Sequence, residues 1–249
     1  MDQMPSNMPV MESKPGPAGW VQAWVMAITK PNERTFIDLT EQPNANSKTA
    51  FLWVFIAGTI SALFQAVLRA IYSAMGITSQ LSIPGMEQFS QFQPAGGDAG
   101  SIGASLLTGL CVSPVAGLFA VLFFAILIAI VQWIAKLFGG VGTFEKLAYA
   151  FAAISFPFTL ISSVLALFTA IPFVGFCVNL ISFGLVIYAL VLEVMAVKGV
   201  NRFGWGPAVG SLLIPIFVLF LVCFCVVFAG MALMGPIIGE VFSGMQFAP

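Results

Sequence analysis

The chain has 249 residues, of which 59% are hydrophobic and 8% are charged, and its formal net charge is −1. An average soluble domain has about 25% charged residues, so this composition excludes a water-covered surface and indicates an integral membrane protein. The balanced charge and the lack of an extended basic run argue against nucleic-acid binding.

The first 48 residues precede any stretch long enough to cross a membrane. Residues 1–19 are proline-rich and polar, which is typical of a disordered tail. Residues 20–48 are predicted to form an interfacial amphipathic segment and a linker, with a short helix that Pro31 ends. The apolar stripe of this helix consists of Trp20, Val21, Trp24, Val25 and Ile28. Two placements fit the helix: within the headgroup layer, or as a cap packed on the bundle.

Four long stretches without charge predict membrane-spanning helices, because one helical crossing needs roughly 20 apolar residues. These stretches cover residues 49–68, 99–135, 147–192 and 203–239. The predicted spans are residues 50–72, 114–137, 146–169, 173–196 and 209–233. We therefore expect an all-α fold, a polytopic transmembrane helical bundle with five spans. The membrane domain covers residues 49–235, and residues 236–249 form a short C-terminal tail.

The connections between the first three spans differ in character. Residues 75–100 form a loop rich in Ser, Gln, Gly and Pro. Residues 101–113 are apolar but are followed by Pro114, which predicts an interfacial or re-entrant approach to the second span.

The distribution of Lys and Arg predicts the orientation. Five crossings place residues 138–145 and 197–208 on the same side as the N-terminus. Apart from the distant Lys14, that side holds seven basic residues, whereas the other side holds Arg69 alone. We therefore expect a multi-pass protein of the cell membrane with its N-terminus in the cytoplasm and its C-terminus outside.

The tryptophans are all predicted to lie on the cytoplasmic side. They are Trp20, Trp24, Trp53, Trp133 and Trp205. Because indole rings favour the membrane–water interface, we interpret them as interfacial anchors on a face that is held or contacted by a partner.

Several absences argue against catalysis. The chain has no histidine, which excludes imidazole ligation of a metal or haem and any Ser–His or Cys–His pair. There is no phosphate-binding loop motif and no C-x-x-C pair. We interpret the four cysteines as small buried hydrophobic residues. The prediction is a protein that is not an enzyme and has no cofactor or metal.

One carboxylate lies inside a predicted span. Glu193 is placed about one turn before the cytoplasmic end of the fourth span. It is either a functional group paired with Lys136, Lys146 or Arg202, or an interfacial carboxylate solvated by headgroup water. Gln65, Gln132 and Asn179 are expected to bond to neighbouring helices.

Proline also interrupts the third predicted span, at Pro157. Four hydroxyl residues flank it: Ser155, Thr159, Ser162 and Ser163. We expect a kink whose freed carbonyl these hydroxyls satisfy, unless they bond across to the next helix.

The chain resembles the Yip1 domain family of five-span membrane proteins. The resemblance rests on Lys136, Gly139-Gly140, Gly142-Thr143-Phe144 and Pro157, together with the segment 197–202 and the segment 28–36. In this family, eukaryotic relatives act in vesicle traffic and bind small Rab-type GTPases, whereas most prokaryotic members have no assigned activity. The short tail and loops here offer little surface for a GTPase, so that role is not transferred.

Two functions fit these observations. The first is a membrane scaffold or accessory subunit in contact with the lipid bilayer and with other membrane proteins or copies of itself. The alternative is a transporter of small solutes or lipids, resembling a scramblase. A water-accessible cavity joining Ser155, Thr159 and Asn179 would favour transport.

Overall fold

The computed structural model describes residues 17–75, 99–171 and 173–245, and the regular structure in these ranges is helical. Within them, the helices in chain order are α1 (Pro17–Thr29), α2 (Glu33–Thr40), α3 (Ser47–Ala74), α4 (Ala99–Leu137), α5 (Phe144–Phe168), α6 (Val174–Asn201) and α7 (Trp205–Met245). Helices α3 to α7 are each long and apolar enough to cross a membrane. The expected all-helical bundle with five spans is therefore confirmed.

Helix α5 forms the centre of the bundle. It packs against α3 and α6, and it also contacts α1, α2 and α4. Every residue from 147 to 154 is buried, and four of these eight are alanines. A helix that is buried all round belongs in the interior of a bundle, and small side chains let its neighbours approach closely.

Small residues also bring α3 and α4 together. A Cβ atom on Gly58 of α3 would lie 2.8 Å from the Cβ of Ala120 on α4. Farther along the same antiparallel pair, a Cβ on Gly109 would collide with Ala66. Contacts of this kind are typical of membrane helices, in which close packing rather than the hydrophobic effect holds neighbours together.

Helix α4 runs without interruption through Pro114, so residues 101–113 are not separated from the second span by the break expected at this proline. Proline has no N–H with which to bond to the carbonyl of Leu110, one turn earlier. The hydroxyl of Ser113 donates to that carbonyl at 3.0 Å. The hydroxyl thus replaces the missing backbone bond, and the helix continues.

Helix α7 is longer than a bilayer is thick. Its 41 residues extend about 61 Å, roughly twice the ~30 Å hydrocarbon core. It continues to Met245, so most of the tail expected over 236–249 is helical. The expected loop over 75–100 lies almost entirely outside the described residues.

One end of the bundle is basic. Here α4 and α6 end and α5 begins, and the residues include Lys136, Lys146, Lys198 and Arg202. We call it the basic end. The two N-terminal helices pack close to it.

The expected helix at residues 20–28 is present as α1, and it packs on the bundle. It buries Ala23, Met26 and Ala27, whereas Val21 and Val25 are exposed. The packed face is therefore rotated from the predicted apolar stripe, although Trp20, Trp24 and Ile28 of that stripe still pack partly buried against the core.

Helix α2 lies within the residues expected to form a linker. Its Phe36 side chain is fully buried. Two ion pairs join it to the end of α6, from Glu33 to Lys198 at 2.6 Å and from Glu41 to Arg202 at 2.7 Å. At only eight residues it is too short for its periodicity to stand out in the sequence.

The expectation that the cysteines are buried is wrong. All four are exposed free thiols: Cys111, Cys177, Cys223 and Cys225. A thiol is compatible with lipid contact as well as with a protein core, so its apolar character does not distinguish the two environments.

Candidate functional site

A polar pocket of about 330 Å³ lies among α3, α5 and α6. Helices α3 and α6 each pack on α5, but in the part of the chain that the structure describes they do not pack extensively against each other. A cleft therefore remains between them, with α5 as its floor. The polar lining residues are Ser61, Gln65, Ser155, Thr159, Ser162, Ser163 and Glu193. The apolar lining residues are Ile154, Phe158 and Ala189.

The hydroxyls of α5 reach this pocket because of their spacing. Positions 155, 159, 162 and 163 are separated by three or four residues, so they share one face of the helix. Pro157 lies within α5, which continues through it. Ser163 donates to the carbonyl of Thr159 at 2.7 Å.

This arrangement differs from the one expected around Pro157. The carbonyl that the proline leaves free belongs to Ala153, and none of the hydroxyls bonds to it in the described structure. The hydroxyls of Ser155, Thr159 and Ser162 instead line the pocket, and they form no hydrogen bond with other described residues.

Glu193 lies deeper than one turn from the end of its helix. Helix α6 continues for eight residues beyond it, to Asn201, which is about 12 Å along the axis. Helical Cα–Cβ bonds tilt toward the N-terminus, so the side chain extends away from the basic end. Glu193 lines the pocket together with the hydroxyl residues of α5.

The basic residues expected as partners do not pair with Glu193. Arg202 forms its ion pair with Glu41. Neither Lys136 nor Lys146 forms an ion pair with any carboxylate among the described residues. Within the same ranges, the Glu193 carboxyl has neither an ion pair nor a hydrogen bond.

Asn179 lies apart from the pocket. It is exposed near the start of α6, 14 residues and about 21 Å from Glu193 along the helix. The pocket therefore joins Ser155 and Thr159 with Glu193 but does not include Asn179.

A second polar cluster joins the ends of α4 and α6 to the loop before α5. The Oδ1 atom of Asn201 accepts hydrogen bonds from the backbone N–H of Gly142 at 3.2 Å and from Nε2 of Gln132 at 3.0 Å. The same Nε2 donates to the Gly142 carbonyl at 2.8 Å. Gln132 is 4% exposed and Asn201 is 1% exposed. The expectation that Gln132 bonds to a neighbouring helix is thus confirmed.

Glycine is required in this loop because the backbone of α6 is so close. A Cβ on Gly140 would lie 2.6 Å from Oδ1 of Asn201, and one on Gly142 would lie 2.9 Å from the carbonyl of Val200. The backbone N–H of Val141 also donates to the Asn201 carbonyl at 3.3 Å. The glycine loop and the segment 197–202, which are distant in sequence, therefore form one junction.

A family model of the Yip1 domain matches residues 27–235, which is most of the chain. The chain belongs to the Yip1 family. Searches of curated proteins and of solved structures found no match. The match begins within α1 and ends within α7, so the Yip1 domain here includes α2 as well as the five spans.

The tryptophans of this Yip1 protein form two groups. Trp53 is fully buried, with its ring centroid 5.4 Å from that of Trp24 and 5.0 Å from that of Tyr149. Its expected role as an interfacial anchor is therefore wrong, because α1 and α5 enclose the indole.

Two other tryptophans remain available at the surface. Trp133 is 64% exposed and Trp205 is 52% exposed. Trp20 and Trp24 are partly buried beside Trp53, and Trp24 stacks on Phe156 with a centroid distance of 4.0 Å. Interfacial anchoring thus stays a prediction for Trp133 and Trp205 above all.

Two contributors to these Yip1 sites are not singled out by the sequence. Asn201 lies between basic residues at the end of a span, as a solvated end residue would. Ser61 is a small hydroxyl residue in an apolar helix, where such residues are common. Asn201 becomes recognisable as a site residue only because α6 approaches the glycine loop. Ser61 becomes recognisable only because α3 packs on α5.

Proposed function

We propose that this Yip1 protein is a non-enzymatic membrane scaffold or accessory subunit that associates with copies of itself and with other membrane proteins. The proposal places it in the cell membrane, with the N-terminus in the cytoplasm and the C-terminus outside. The exposure of α7 carries the proposal.

Where the structure describes the exposure of α7, over residues 205–230, the buried side chains lie near the start of the helix. Ala208, Ser211 and Leu212 are buried. Among residues 213–230 whose exposure the structure describes, none is buried. A span with so few intramolecular contacts has most of its surface available to another protein.

A ridge of aromatic side chains lies along this open part of α7. Phe220, Phe224 and Phe228 stack in sequence, with ring centroids 6.4 and 6.2 Å apart, and all three are exposed. Stacked rings form a rigid packing surface, and aromatic residues are enriched at protein interfaces. We take a second copy of α7 as the occupant, since two identical ridges meet around a two-fold axis.

The surface of the basic end supports the proposed orientation and a second contact. Lys198 Nζ lies 4.6 Å from the ring centroid of Trp205, and the exposed Trp133 belongs to the same end. Basic residues with indole rings suit the cytoplasmic interface of a membrane. They would anchor this end and leave it accessible to a cytoplasmic partner.

Native thiols provide the test, because Cys223 and Cys225 are exposed beside the ridge. A variant with Cys111→Ser and Cys177→Ser retains only the α7 thiols. Oxidation with copper phenanthroline in native membranes should then give a disulfide-linked dimer, and Phe224→Ala should reduce it. The matched control carries the two α7 cysteines as serine and keeps the other two, and it should stay monomeric. A monomer from both variants would contradict the proposal.

Transport of a small solute or lipid is a second candidate, and the pocket among α3, α5 and α6 favours it. The pocket joins Ser155 and Thr159 with Glu193 and lies between two helices that do not pack tightly together. Flux in proteoliposomes tests this candidate. If transport occurs through the pocket, Thr159→Val should lower flux whereas Asn179→Ala should not. If no flux is measured, transport is contradicted and the scaffold is the remaining candidate.

A further inference from the structure

We propose that the polar pocket binds the ammonium group of a small organic cation, with Glu193 as its counter-ion. This binding site goes beyond the proposed scaffold function and does not depend on it. The charge, the hydrogen-bonding capacity and the size of the pocket support this assignment.

The charge of the pocket selects a cation. Among the described residues that line the pocket, Glu193 is the one that is ionisable. The basic residues nearest to it on α6 form their ion pairs with α2, Lys198 with Glu33 and Arg202 with Glu41. A carboxylate at membrane depth is costly unless an opposite charge accompanies it. An external cation would supply that charge.

The hydroxyls suit an ammonium group. Ser155, Thr159 and Ser162 line the pocket, and in the described structure their hydroxyl oxygens form no other hydrogen bond. An ammonium group needs several acceptors around it, and these hydroxyl residues line the same pocket as Glu193. The amide oxygen of Gln65 is a further acceptor on α3.

The apolar wall suits the carbon atoms of an organic cation. Ile154, Phe158 and Ala189 form this wall. Phe158 lies beside Tyr188, with ring centroids 6.0 Å apart. Methylene or methyl groups next to an ammonium pack well on such surfaces, and an aromatic face attracts the cation itself.

The size of the pocket argues against a bare metal ion. The pocket is an open cleft with a volume of about 330 Å³. A metal ion needs a close cage of oxygen atoms at about 2.0–2.6 Å. The described residues contain no cluster of three or more metal-binding side chains. A group of several heavy atoms, such as an ethanolamine moiety, fits better.

The same chemistry has two sources, a lipid headgroup or a free amine. The cleft between α3 and α6 would admit a headgroup from the bilayer. The experiment therefore adds phosphatidylethanolamine, free ethanolamine or phosphatidylglycerol to the full-length chain in detergent. Native mass spectrometry measures bound lipid, and the melting temperature measures stabilisation.

Wild-type protein should be stabilised by an amine-bearing compound and not by phosphatidylglycerol. Stabilisation by phosphatidylethanolamine alone identifies a lipid ligand, and stabilisation by ethanolamine identifies a free amine. Glu193→Gln should weaken binding of the amine by roughly tenfold or more, because it removes the negative charge of the side chain and preserves its shape. The matched control Glu145→Gln changes an exposed carboxylate in the first turn of α5 and should have no effect.

Thr159→Val provides a second variant, which removes a hydroxyl at nearly constant volume and should weaken amine binding severalfold. It decides the question if Glu193→Gln does not fold. Equal binding of phosphatidylglycerol and phosphatidylethanolamine would overturn the proposal. Unchanged amine binding by Glu193→Gln, or displacement of the amine by equimolar sodium, would overturn it as well.

Discussion

The junction around Asn201 gives the sharpest prediction about stability. Asn201→Ala removes the acceptor for the Gly142 N–H at 3.2 Å and for Gln132 Nε2 at 3.0 Å. Gln132 retains its bond to the Gly142 carbonyl but loses the bond that its Oε1 accepts from Asn201 Nδ2 at 3.4 Å. The main stranded group is then the Gly142 N–H. A buried donor left unpaired costs about 1–3 kcal/mol. Each lost bond between membrane helices adds roughly 0.6 kcal/mol or more. The expected loss of unfolding free energy is therefore about 2–4 kcal/mol.

The assay is unfolding by SDS in mixed micelles, followed by circular dichroism. The matched control is Asn179→Ala, which changes the same residue type on the same helix at an exposed position. That control should stay within about 0.5 kcal/mol of wild type. Equal unfolding midpoints for the two variants would refute the reasoning, because they would show that the buried network contributes nothing beyond an exposed amide.

Three further predictions concern packing. Gly142→Ala should lower the free energy of unfolding by about 1–3 kcal/mol in the same assay, because the added methyl lies within 3 Å of the α6 backbone. The control Gly103→Ala adds a methyl in open space and should not lower it. Ser113→Ala should lower the free energy of unfolding by about 0.5–1.5 kcal/mol. The loss should be much smaller in a Pro114→Ala background, which restores the backbone donor, and an equal loss in both backgrounds would contradict the role of the hydroxyl. In a variant whose only tryptophan is Trp53, fluorescence should be blue-shifted and resist acrylamide quenching, and efficient quenching would show that this indole is exposed.

Much of the fold is predictable from hydrophobicity because the bilayer imposes it. A helix of about 20 apolar residues is the simplest way to satisfy the backbone across the hydrocarbon core, so five spans follow from the uncharged stretches. The same reasoning fails at Pro114, since the rule that proline ends a helix neglects the hydroxyl of Ser113. It also fails at α2, whose burial depends on a tertiary contact with α6.

The candidate site is predictable only in part. Ser155 and Thr159 are identifiable from their spacing around Pro157, and Glu193 from its charge. Their meeting depends on how α3 and α6 sit on α5, which no local pattern encodes. Hydropathy also treats Trp53 like an interfacial indole, although its environment is a core.

Thiol accessibility on intact cells tests the five-span topology most directly. In a background with all four cysteines changed to serine, Ser90→Cys lies between α3 and α4, and Val141→Cys lies in the loop at the basic end. A membrane-impermeant maleimide should label position 90 on intact cells, and position 141 only after the cells are opened. Labelling of position 141 instead of position 90 on intact cells would contradict the proposed orientation, and labelling of both positions would contradict the crossing by α4 that separates them.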